Sequence, residues 1–123
     1  MSNMMAVLLN GIAQLEYDRN KLLPDHQALY LDKMDEKMDE GIFIGDTRIQ
    51  KPDISQKAQF VAANLVHAIK NDNESTAASL CTYLANRLPD LKQVKIDDTQ
   101  SEVSINLVFD EEYKNQVAVT FKH

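Results

Sequence analysis

The densest chemistry in this sequence lies at residues 32–40, where Asp32, Asp35, Glu36, Asp39 and Glu40 set five carboxylates beside two lysines. The tetrapeptide Lys-Met-Asp-Glu occurs at 33–36 and again at 37–40. On a helix that period puts Met34 above Met38, Asp35 above Asp39 and Glu36 above Glu40. Columns of carboxylates are what a hard cation such as calcium or magnesium takes as ligands. A straight helix offers few convergent oxygens, however, and no D-x-[DN]-x-[DN]-G loop accompanies these. No metal or other cofactor is expected. The usual exposure of Asp and Glu favours a solvated acidic face over a methionine seam, and such an acidic, methionine-edged helix is also suited to meet a basic protein surface, because Met is adaptable and charge steers association. Asp32, Met34, Asp35, Glu36, Met38, Asp39 and Glu40 are the candidate partner-binding residues.

Other reactive residues form no constellation. His26, His67 and His123 have no nucleophile at a recognisable spacing, and His67 sits about 200° around a helix from Leu65 and Ile69, which points it to solvent. Cys81 falls in an apolar stripe between Leu80 and Leu84, the setting of a core thiol and not of an exposed thiolate. Gly41 and Gly45 match neither a dinucleotide fingerprint nor a P-loop. No catalytic residue is assigned. The cluster Glu16-Tyr17-Asp18-Arg19 follows an apolar run. It supports a second reading, a small-molecule-binding domain or enzyme. Its pocket would lie between the helices and segment 42–49, lined by Tyr17, Asp18, Arg19, His26 and Arg48.

The elements that must position these groups follow from periodicity. Met5, Leu8, Ile12 and Leu15 fall at helical spacing and predict a short helix over 4–16, although Ala13, Leu15 and Tyr17 also alternate as in a strand. Pro24 opens and Gly41 closes a helix over 24–40, with Gln27, Tyr30, Leu31, Met34 and Met38 on one face. Residues 42–49 hold two short apolar runs around Gly45-Asp46, a hairpin or an ordered loop. Lys51-Pro52-Asp53 opens a helix striped by Ala58, Val61, Ala62, Leu65, Ala68 and Ile69. Asn71-Asp72-Asn73 ends it and caps the next, which runs through Ala77, Leu80, Cys81, Leu84 and Leu88 to a stop at Pro89.

After Pro89 the period becomes 2. Val94 and Ile96, then Val103, Ile105, Leu107 and Phe109, then Val117, Val119 and Phe121 alternate with polar neighbours. The predicted fold is one α+β domain over 1–123: three to four helices followed by a three-stranded antiparallel β-meander packed on the helices. The outward positions of that meander, among them Glu102, Ser104, Asn106, Val108, Ala118, Thr120 and Lys122, make a small, mostly uncharged face. Homodimerisation through the sheet is an expectation from that face and its two edges.

Composition sets the outer bounds. Leu, Ile, Val and Phe make up 33 of 123 residues, enough to build a core in a chain of this length. Of the net charge of −6, residues 1–46 carry nine acids against four bases and residues 47–123 carry ten against nine, so the acidity is concentrated near the first helices. Acidity repels phosphate backbones, and Arg87, Lys92 and Lys95 are a modest basic group with no aromatics on the outward sheet positions. Nucleic acid is not an expected partner. The longest apolar stretch, Met4 to Leu9, is far short of the ~20 residues that span a bilayer, and no basic segment or cleavage site marks a secretory leader. One cysteine makes no internal disulfide. These features predict a cytoplasmic interaction or accessory module, not an enzyme, that binds a protein partner or a second copy of itself and neither nucleic acid nor membrane.

Overall fold

The structure is a computed structural model and describes residues 4–113. Its first two elements correct the predicted N-terminal helix. Residues Met4–Leu9 form strand β1 and Ile12–Asp18 form strand β2, an antiparallel hairpin. Asn10 and Gly11 connect them with φ of 51° and 84°, both left-handed, the conformation that Asn-Gly adopts in a two-residue hairpin turn. Helical spacing at 5, 8, 12 and 15 misleads because β1 is a central strand with both faces covered. Met5, Ala6, Val7 and Leu8 are all buried, so the run shows no period of 2.

Helix α1 (Asp25–Asp39) begins after Pro24 and ends where Gly41, at φ 128°, turns the chain. Strands β3 (Ile42–Ile44) and β4 (Thr47–Ile49) form a small separate hairpin. Helix α2 (Ile54–Lys70) starts in a reciprocal capping box: the Asp53 carboxylate accepts from the Gln56 amide at 2.8 Å and the Gln56 side chain accepts from the Asp53 amide at 2.9 Å. Helix α3 (Glu74–Arg87) starts on Asn73, whose side chain accepts from the Thr76 amide at 3.2 Å. These three helices lie where the sequence predicts them.

The sheet does not. Strands β5 (Gln93–Asp98) and β6 (Val103–Val108) are an antiparallel pair, as the alternation predicts. β5, however, pairs on its other side with β1, in parallel, giving the order β2-β1-β5-β6. The fold is α+β with a mixed sheet, and helices followed by a three-stranded meander is not its architecture. The predicted third meander strand, 117–121, lies outside the described residues.

The core sits between one face of this sheet and the α2–α3 pair. Met5, Val7, Val94 and Ile96 meet Val61, Leu65 and Leu84 there. On the opposite face Tyr113 folds back over Ala6 and Leu8. That return removes part of the predicted outward face: Val108 is buried, whereas Glu102, Ser104 and Asn106 are exposed. Cys81 belongs to the core, and burial pushes its thiol up to about 12, with the Arg19 charge pulling weakly the other way. Relative to an ordinary thiol, roughly 1000-fold less thiolate then exists at pH 8. A disulfide reagent is expected to label Cys81 slowly in the native chain and at full rate in guanidinium; equal rates in both would show the thiol to be exposed.

Candidate functional site

The acidic helix is tied to the rest of the molecule by its carboxylates. α1 makes no extensive backbone approach to another element, and side chains bridge the space. Leu31 and Met38 are buried, and Met34 is half-buried. Beside this apolar seam, Asp35 Oδ1 accepts from the Tyr83 hydroxyl at 2.5 Å and from Lys57 Nζ at 3.3 Å. Its Oδ2 accepts from Arg87 Nε at 2.8 Å. Arg87 Nη2 reaches Asp32 at 2.8 Å, and Lys57 Nζ reaches Asp39 at 3.0 Å. The Arg87 guanidinium also lies 5.8 Å from the Tyr83 ring centre.

Helix period explains the arrangement. Asp32, Asp35 and Asp39 fall on one side of α1 at spacings of three and four, facing Lys57 from the start of α2 and Arg87 from the last turn of α3, where a cation also suits the helix dipole. Burial works against charge on Asp35, but the hydrogen bonds from Tyr83, Arg87 and Lys57 outweigh it and hold the carboxyl below its ordinary range. Burial likewise opposes charge on Lys57 and Arg87, and the facing carboxylates hold both above their usual values. Burial and the neighbouring Asp35 raise the Tyr83 phenol. Every oxygen of Asp35 is occupied, so this cluster fastens α1 and presents no free nucleophile or base.

The candidate partner-binding residues therefore divide. Asp32, Asp35 and Asp39 are ion-paired within the chain, and Met38 is buried. Glu36 and Glu40 are exposed, and Met34 opens onto a cleft. That cleft, about 400 Å³, runs between α1, α2 and α3 and is walled mainly by Met34, Met38, Ile42, Phe60 and Leu80, with Lys37 on its rim. A smaller hollow of about 100 Å³ between Tyr30 and Leu31 of α1 and Ser79 and Thr82 of α3 continues the same seam.

No family model, curated protein or solved structure matches the chain. Its site is read from geometry alone.

The candidate small-molecule residues are not gathered together. Tyr17 accepts from the Asn86 amide at 2.9 Å. Arg19 donates to the carbonyls of Ala85 and Leu91 and, at 3.4 Å, to that of Leu88. Both therefore bind the end of α3. Asp18 accepts from the Asn20 amide at 2.9 Å and shapes its own turn. His26 is exposed in the first turn of α1, whereas Arg48 donates to the Glu40 carbonyl at 3.0 Å, past the last turn. At the rise of a helix those two are separated by about 20 Å. Among the described residues no cluster of three His, Cys, Asp or Glu could hold a metal ion. No helix among them is long and apolar enough to cross a membrane.

Lys57, Tyr83 and Phe60 are the site residues that sequence reading misses. Arg87 carried a signal, because Tyr83 and Arg87 stand at i and i+4 on one helix face, an arrangement suited to gripping a third group.

Proposed function

We propose that the chain is an accessory interaction module that takes an apolar, predominantly basic segment of a partner protein into the cleft beside α1. The observation that carries this reading is the Met34–Phe60–Leu80 cleft beside α1, a helix whose solvent-exposed residues include Glu36 and Glu40, carboxylates that no basic side chain among the described residues engages in an ion pair. Methionines at the edge of an open apolar groove can repack around different side chains. Exposed acids elsewhere on the helix that borders it raise the capture rate of a basic segment and disfavour acidic ones. A cytoplasmic setting belongs to the same proposal, supported by the lone buried thiol of Cys81. The polar sheet face contributes less, because Tyr113 already covers part of it.

Immobilised chain carrying Glu36→Lys and Glu40→Lys is expected to recover its partner at least about tenfold less well than the natural chain, and the difference is expected to shrink as salt rises. Leu80→Lys is expected to abolish recovery at any salt. Unchanged recovery by both variants removes the proposal.

A further inference from the structure

Among the described residues β6 is the last strand of the mixed sheet, paired with β5 from Asp98↔Val103 to Gln93↔Val108 and with no other strand. It reads Val-Ser-Ile-Asn-Leu-Val, six residues without a charge, a proline or a glycine. Its register with β5 is unbroken. Natural edge strands are ordinarily blunted by an inward lysine, a proline or a bulge, and β6 has none of these. An edge that no strand among the described residues covers presents amides and carbonyls whose complement is another strand.

The side chains narrow the choice of occupant. Val103, Ile105 and Leu107 share one face of β6, and Phe109 follows at the same spacing. Ile105 and Leu107 pack on the core yet remain half-exposed, and Val103 and Phe109 are 42% and 44% exposed. This stripe is self-complementary: it reads small to large along the chain, so an antiparallel copy places small against large. The strand is neutral, and a basic or acidic strand would bring a charge to it without a counter-charge. The acids that follow are drawn off its line, because the chain turns back over the sheet. There the Gln93 side chain donates to the Glu111 carbonyl at 2.9 Å, and Lys95 holds the Glu111 carboxylate at 3.0 Å.

We infer that β6 is the seam of a homodimer, a second copy adding its own β6 antiparallel about a two-fold axis through Asn106. Such a contact is isologous and closes after two chains. It sets Val103 of one copy opposite Phe109 of the other and Ile105 opposite Leu107, extending one apolar face across both molecules. The cleft beside α1 plays no part in it, so each proposal stands or fails alone.

The two-fold puts the Asn106 residues directly opposite one another. Their Cα atoms would then lie about 4.5–5.5 Å apart, within the span of a disulfide. Asn106→Cys, with Cys81 buried in the core, is expected to oxidise rapidly to a covalent dimer, while the exposed-loop control Gln100→Cys does not. The natural chain is expected to sediment at twice its mass at high concentration, and Val103→Lys with Phe109→Lys to sediment as one chain with an unchanged circular dichroism spectrum. A single-chain mass for the natural protein, or cross-linking of Asn106→Cys no faster than of Gln100→Cys, overturns the inference. The cross-link leaves the apolar stripe intact, so it decides the matter even if the double lysine variant loses its fold.

Discussion

Asp35→Ala is expected to lower the unfolding free energy by about 2–3 kcal/mol, because it strips partners from Tyr83, Lys57 and Arg87 at once and leaves a buried phenol and two cations facing each other. For a chain of this size that corresponds to a fall in Tm of roughly 10 °C. Asp32→Ala is expected to cost no more than about 1 kcal/mol: its side chain is 63% exposed against 24% for Asp35, and it has one partner. A double-mutant cycle of Asp35→Ala with Tyr83→Phe separates the hydroxyl's share from that of the cations. The same carboxylate sets a pH dependence. Its pKa is lower in the folded chain than the value of about 3.9 in the unfolded one, so its contribution is complete above that value and is lost as pH falls through the folded value. Urea unfolding of the natural chain and of Asp35→Asn should therefore differ most at neutral pH and converge toward pH 3. A gap that persists undiminished there would falsify the assignment.

Arg19→Ala is the second large effect, also about 2–3 kcal/mol. Helix α3 ends with carbonyls that have no partner inside the helix, and the Arg19 guanidinium takes those of Ala85 and Leu88 together with that of Leu91. One planar fork thereby joins the end of β2 to the end of α3 and to the start of β5. Burial lowers the Arg19 pKa, yet the guanidinium stays charged at any pH in which the chain is folded. Arg19→Lys should recover less than half of the loss, because an ammonium cannot reproduce the fork. Hydrogen exchange should show where the loss falls: amides at the end of α3 and at Leu91 should exchange faster in Arg19→Ala, while those of β6 should not.

Local signals made the helices legible. Pro24, Gly41, the Asp53–Gln56 pair and Asn73 each act within a few residues of themselves, and the boundaries they imply are the ones observed. β1 was not legible because its pattern reflects two partners at once. One partner is β2, which follows through the Asn10-Gly11 turn. The other is β5, and nothing near residue 6 indicates that Gln93 will lie beside it. The acidic repeat shows the same division. That Asp35 and Asp39 share a column follows from their spacing. That Lys57, Tyr83 and Arg87 arrive to meet them depends on helices 22, 48 and 52 residues away packing in one particular way.

The parallel pairing of β1 with β5 also bears on how the chain is made. Translation delivers Met-Met-Ala-Val-Leu-Leu at 4–9 some 87 residues before its central neighbour at 93–96. At the usual pace of synthesis that is a wait of roughly 4–17 s. Throughout it, an apolar run that the finished molecule buries on both faces lacks its parallel strand neighbour and has β2 alone paired to it. A ribosome-bound fragment ending near residue 90 should accordingly recruit a chaperone that a fragment carrying the whole of β6 does not.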